Sequence, residues 1–151
     1  MIRNASPDDL GRLEQLWLYS VITAHPSLPR DYWRARLAAF RRDCLDADYC
    51  LVYTERGHRS ADGFALVAGD DTLKFLCVTP ALAGHGAGAA LMEATKRACP
   101  QLQAHLLQEN LLGRYFLQRH GFVETERYAD GDSGQMAIVM LCSSGCVRRA
   151  I

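Results

Sequence analysis

The stretch Val78-Thr79-Pro80-Ala81-Leu82-Ala83-Gly84-His85-Gly86-Ala87-Gly88-Ala89-Ala90-Leu91 places three of the chain's 12 glycines close together. The apolar run Leu73 to Val78 reads as a strand, and the residues from about Gly84 to Ala98 read as a helix. At such a junction bare backbone can approach a ligand closely. The first amides of the helix lack intrahelical acceptors and lie at the positive end of its dipole. Together they make an anion site suited to phosphates. Glycine spacing alone leaves a second reading open, a turn whose glycines only relieve crowding.

Two common phosphate loops are excluded by context. A nucleoside-triphosphate loop requires G-x-x-x-x-G-K-[ST], and no Lys-Ser or Lys-Thr pair occurs in the sequence. A dinucleotide fingerprint expects G-x-G-x-x-G after the first strand of a parallel sheet. Here the third glycine comes one residue early, and three strands that read as antiparallel precede the loop.

Other side chains with chemical potential are scattered. His25 titrates near neutrality and follows a helix, where it serves either as a proton acceptor or as a cap on helical carbonyls. Tyr115 and Tyr128 carry donor hydroxyls but equally suit partly buried packing. His120, before Gly121 at a helix end, reads as structural. Cysteines at positions 44, 50, 77, 99, 142 and 146 include no C-x-x-C pair. No metal site and no disulfide framework is expected, and most of these thiols read as small core residues. Arg30, Arg34, Arg36, Arg41 and Arg42 give one helix a basic face, which by default is solvated.

The elements that must position these groups follow from periodicity. Ser6-Pro7-Asp8-Asp9 is a helix start with capping-box character, and Leu10, Leu13, Leu16, Trp17 and Val21 carry the helix to about Ala24. His25-Pro26-Ser27-Leu28-Pro29 breaks it. A second helix from about Asp31 carries Trp33, Leu37 and Phe40. Strands are expected at 49–54, 64–68 and 73–78, then the helix after the glycine loop, a strand at 102–107 and a helix from Leu111 to His120 ended by Gly121. Strands near 122–128 and 136–141 enclose the turn Asp130-Gly131-Asp132-Ser133-Gly134, and residues 143–151 read as a loose tail. The order ααβββαβαββ specifies an α+β fold rather than a doubly wound sheet.

Composition agrees with a single globular domain: 151 residues, 49% hydrophobic, 23% charged, with 17 basic against 17 acidic side chains. The balanced charge gives no global pull toward nucleic acid or an acidic membrane. The longest apolar run, Met136 to Cys142, is far short of the ~20 residues of a membrane span. The N-terminal MIRNASPDDLGRLEQL has no apolar core of a secretion signal. A cytoplasmic monomer or homodimer is expected, with neither a nucleic-acid nor a membrane partner.

The loop and its surroundings resemble the GNAT superfamily of acyl-CoA-dependent N-acetyltransferases. Val78, Pro80, Gly84, Gly86 and Gly88 fall on that family's V-x-P…[QR]-x-x-G-x-[GA] block, and Asn110, Gly113, Phe116 and Gly121-Phe122 match its N-x-x-[AG]-x-x-[LF]-Y-x-x-x-G-F block. Trp17-Leu18, Ala24-His25-Pro26 and Tyr32-Trp33 are similar to the YiaC-type subgroup of bacterial GNAT proteins. The resemblance implies the GNAT fold over residues 1–142, a central mixed, mostly antiparallel sheet flanked by helices, with its fourth and fifth family strands splayed. It implies acetyl transfer from acetyl-CoA to a primary amine (a protein lysine, a peptide N-terminus or a small metabolite) by direct attack in a ternary complex. The alternative is a catalytically quiet module that binds acyl-CoA.

Residue by residue, the resemblance assigns coenzyme binding to Leu76, Val78, Ala83, Gly84, His85, Gly86, Ala87, Gly88, Ala89 and Asn110, and acceptor binding to His25, Tyr32 and Trp33. An amide near Val78 would polarise the thioester carbonyl. Asn110 also reads simply as a helix N-cap. Two positions depart from the family pattern. Ala83 stands where Arg or Gln is usual, leaving His85 or Arg114 as replacements for the lost charge. Leu117 stands where a tyrosine usually protonates the departing thiolate. His25, Tyr115 and Tyr128 are the remaining candidates for the proton steps, with water as another donor to the thiolate.

Overall fold

The computed structural model describes residues 1–143. Its order is β1 (Ile2–Asn4), α1 (Leu10–Ala24), α2 (Arg30–Arg34), α3 (Leu37–Leu45), β2 (Tyr49–Tyr53), β3 (Gly63–Ala68), β4 (Thr72–Val78), α4 (Ala87–Ala98), β5 (Gln101–Leu107), α5 (Leu111–Arg119), β6 (Val123–Ala129) and β7 (Met136–Ser143). The seven strands form one sheet in the order β1-β2-β3-β4-β5-β7-β6. Among these strands every neighbouring pair is antiparallel except β4 and β5, so the expected mixed, mostly antiparallel α+β sheet is present.

Three expectations are corrected and one strand is added. Ile2–Asn4, to which the sequence assigns no element, forms an edge strand on β2. The single helix from Asp31 is two, because the Arg36 amide bonds the Trp33 carbonyl three residues back and tightens the turn between them. The helix after the glycine loop starts at Ala87 rather than Gly84, preceded by a 3-10 turn over Pro80–Leu82. Ser143 pairs with Gln101 in β7 instead of opening the tail, and the rest of the expected tail, 144–151, lies outside the described residues.

Ser6 caps a 3-10 turn over Pro7–Asp9 that leads into α1, with the capping box its sequence predicts. Its amide donates to Asp9 Oδ2 at 2.8 Å, and Arg3 clamps the same carboxylate through two 2.8 Å hydrogen bonds. Two cores flank the sheet. Leu91 and Met92 of α4 and Leu117 of α5 pack with Val67, Leu102, Phe122 and Ile138 on one face. Leu13, Leu16 and Trp17 of α1 pack with Trp33, Phe40, Phe64 and Cys77 on the other, where Trp17 and Phe40 stack at 4.7 Å.

Candidate functional site

The sheet opens between its two parallel strands. Thr72 opposite Gln103 is the single register pair joining β4 to β5, and beyond it the strands diverge. On its other side β4 stays zipped to β3, with Leu76 opposite Ala65 and Val78 opposite Gly63. The Thr79 amide donates to the Asp62 carbonyl at 2.7 Å, which makes Gly63–Val78 a non-hydrogen-bonded pair. Because main-chain direction alternates along a strand, the N–H and C=O groups of Val78 and Leu76 then point away from β3, into the opening. The predicted splay is therefore a V whose inner edge carries main-chain polar groups.

A cavity of about 810 Å³ runs through this V. Ser20, Val21 and Ala24 of α1 line it on one face of the sheet, and Gly84, Gly86 and Gly88 on the other. The glycine loop is wound by two left-handed residues, Gly84 (φ 78°) and Gly86 (φ 89°), a conformation that favours glycine. The first intrahelical bond of α4 to reach its cap runs from the Ala90 amide to the Gly86 carbonyl. The amides of Ala87, Gly88 and Ala89 precede it and form the open first turn of a twelve-residue helix.

The residues assigned to the coenzyme from sequence separate here. Leu76, Val78, Ala83, Gly84, Gly86, Gly88, Ala89 and Asn110 line the cavity. His85 is exposed and Ala87 buried, and neither side chain is part of the lining. The amides of Ala83 and His85 are engaged within the loop, bonded to the carbonyls of Pro80 (3.1 Å) and Leu82 (3.0 Å). Asn110 caps α5 by accepting the Gly113 amide at 2.9 Å, while standing at the open end of the V. Arg114 pairs with Glu124 at 3.8 Å.

On the α1 face, His25 is 5% exposed and packs its ring 4.8 Å from that of Trp33. Its Nδ1 lies 2.7 Å from the Val21 carbonyl, which only accepts, so Nδ1 carries the proton and neutral His25 keeps its lone pair on Nε2. Burial pushes its pKa below the ordinary 6.5, against smaller opposing effects of the Val21 carbonyl and the Glu109 carboxylate. His25 and Trp33 both line the cavity. The Trp33 indole N–H is buried without a hydrogen-bond partner among the described residues.

None of Tyr32, Tyr115 and Tyr128 lines the cavity. Arg36 lies 3.5 Å over the Tyr32 ring and pairs with Asp132, so Tyr32 joins α2 to the β6–β7 turn. Tyr115 is 56% exposed on the outer side of α5. Leu117, in the position that the resemblance gives to tyrosine, is buried and presents an apolar wall. Cys77 is also part of the lining, and burial pushes its thiol up to about 12 although the Ser20 hydroxyl hydrogen-bonds it.

Sequence reading passed over Ser20, Lys74 and His105, which also line the cavity. His105 had a weak signal, a polar residue alternating with core residues Ala104 and Leu106 on β5. Among the described residues no group of three metal-ligating side chains occurs. No described helix is long and apolar enough to cross a membrane.

A family model described as an acetyltransferase (GNAT) domain matches residues 27–135. The chain is 30% identical over 122 residues to the peptidyl-lysine N-acetyltransferase YiaC of Escherichia coli (strain K12), covering 81% of this chain and 82% of that protein. Its fold is similar to that of apo YjaB from Escherichia coli, with a TM-score of 0.80 at 22% identity over 93% of this chain and 95% of that one. It is also similar to YncA from Salmonella typhimurium, solved with acetyl-CoA, with a TM-score of 0.65 at 20% identity over 95% and 93% of the two chains. With the V, the glycine loop and these matches in agreement, the chain belongs to the GNAT acetyltransferase family, as an acetyl-CoA-dependent N-acetyltransferase.

Proposed function

We propose that this enzyme acetylates a primary amine on a peptide, a lysine side chain foremost, with the coenzyme entering from the α4 face and the amine from the α1 face. The observation that carries this reading is the inward-turned main chain of Leu76 and Val78 beside the open first turn of α4. The lysine acceptor is suggested by the similarity to YiaC.

In this reading the amides of Ala87, Gly88 and Ala89, with Gly84 and Gly86, hold the pyrophosphate of acetyl-CoA. The main chain of Leu76 and Val78 binds the pantetheine arm as an added strand. The Val78 N–H polarises the thioester carbonyl, and Asn110 flanks the arm at the mouth of the V. His25 and Trp33 wall the acceptor side, where the His25 Nε2 lone pair accepts a hydrogen bond from the amine. The neutral amine attacks the carbonyl carbon, the positively charged nitrogen of the tetrahedral intermediate gives one proton to water, and the carbon–sulfur bond breaks as the intermediate collapses to the amide. Beside Leu117 the thiolate leaves as an anion and takes its proton from water, since a thiolate is a far better leaving group than an amide anion. The partners in this reading are acetyl-CoA and an amine, for a cytoplasmic monomer or homodimer, and the balanced charge gives no global pull toward nucleic acid or an acidic membrane.

Calorimetry with acetyl-CoA, followed by thiol release across lysine peptides, peptide N-termini and small amines, tests this reading. Binding and amine-dependent release fastest with lysine peptides are expected. Binding without release from any amine would leave an acyl-CoA module instead.

A further inference from the structure

Resting on that reading, we infer that the proton leaving the acceptor ammonium travels through the Tyr128 hydroxyl to His105 Nδ1. Main-chain rows across the sheet put these two residues on one face: Leu107, Ala137 and Tyr128 lie in one row, and His105 and Val139 share another. Leu107 packs with the α1 core, so the face is the one assigned to the acceptor. His105 lies two residues beyond Gln103, the last β5 residue paired to β4, and is therefore near the apex of the V. His105 is exposed and lines the cavity, and Tyr128, itself outside the lining, reaches the site through its hydroxyl contact with His105.

A directed chain of hydrogen bonds fixes its protonation. Gln103 Nε2 donates to the Asp70 carbonyl at 3.0 Å, which turns Oε1 of the same amide toward His105 Nε2, 3.2 Å away. An amide oxygen only accepts, so Nε2 carries the proton and Nδ1 keeps the lone pair. The Tyr128 hydroxyl, 3.1 Å from Nδ1, therefore donates to it, and its own oxygen lone pairs remain for another donor. The rings meet edge to face with centroids 5.9 Å apart, which holds the pair in register.

The step balances without a further reactant. An N–H bond of the ammonium breaks as an Oη–H bond forms, and the original Oη–H bond breaks as Nδ1–H forms. The products are a neutral amine, whose lone pair attacks the thioester, and an imidazolium. That imidazolium faces solvent and releases its proton there. The buried His25 has no such exit, and its Nε2 contributes a hydrogen bond rather than a proton path.

The test is thiol release with acetyl-CoA and a lysine peptide. His105→Ala is expected to lower kcat by about 10²-fold or more, in the range that general base catalysis supplies, with acetyl-CoA affinity by calorimetry unchanged. Added imidazole restores part of the rate. Tyr128→Phe is expected to lower kcat while leaving the circular dichroism spectrum as in wild type. His105→Ala running at the wild-type rate overturns the relay while leaving acetyl transfer intact. A loss of rate in His105→Ala that imidazole does not restore overturns it as well. Wild-type enzyme that binds acetyl-CoA yet acetylates no amine removes the transfer reading itself, and the relay with it.

Discussion

The Thr79 amide donates to the Asp62 carbonyl at 2.7 Å, and this bond decides which way Val78 faces. With Thr79 bonded toward β3, its neighbour must turn its own main chain toward the diverging strand β5. One hydrogen bond at the end of a hairpin thereby sets the direction of the groups proposed to meet the thioester.

Thr79→Pro isolates that bond. The native φ of −58° already suits proline, so the ring fits while the donor is removed. The variant is expected to lose about 1 kcal/mol of stability in urea melts. A KM for acetyl-CoA several-fold above wild type would show that the bond also positions Val78, and an unchanged KM would deny it.

Gly86→Glu attacks the loop twice. Glutamate at φ 89° costs roughly 1–2 kcal/mol of backbone strain, and its carboxylate stands at the proposed pyrophosphate site. Calorimetry should detect no acetyl-CoA binding at millimolar ligand, with the circular dichroism of the folded protein retained. Wild-type affinity in this variant would remove the loop from the coenzyme site.

Leu117→Tyr restores the hydroxyl that the family pattern expects, in a position that is part of the α4–α5 core. Crowding that core is expected to cost about 1–3 kcal/mol, read as a lower Tm. If the thiolate leaves without an acid, kcat stays level or falls. A rise in kcat of tenfold or more would show that the native enzyme lacks a proton donor it needs.

His25 links stability to pH. Its folded pKa lies below the unfolded 6.5 because burial disfavours the cation, so between the two values the unfolded chain binds more protons. The contribution is fully present above 6.5 and is lost as pH falls from there toward the folded pKa. His120, lowered chiefly by burial and by Lys96, adds to the same slope. In urea melts across this window His25→Asn should show a shallower loss of stability than wild type. An identical slope would mean that His25 does not stay neutral.

Much of the fold is legible because it is written locally. The Ser6–Asp9 capping box, the alternation of the strands and the glycines before α4 each depend on residues close in sequence. Ile2–Asn4 has no such signature, since three residues carry too little alternation and become a strand only against β2. The break near Arg36 was hidden for a related reason: Trp33 and Phe40 satisfy one helical stripe, and only their packing around Trp17 shows that two axes are needed.

The site divides along the same line. The sequence by itself determined the glycine junction, the element order from β2 onward, the Asn110 cap and the absence of tyrosine at Leu117, all properties of residue type and spacing. Tertiary structure decided that Thr72 and Gln103 form the last pair between β4 and β5, that Tyr115 points outward, and that His105 meets Tyr128 across β7. These depend on strand register and on which face each element buries. A one-residue change of register turns every side chain of a strand to the opposite face, and register is settled by partners distant in the chain.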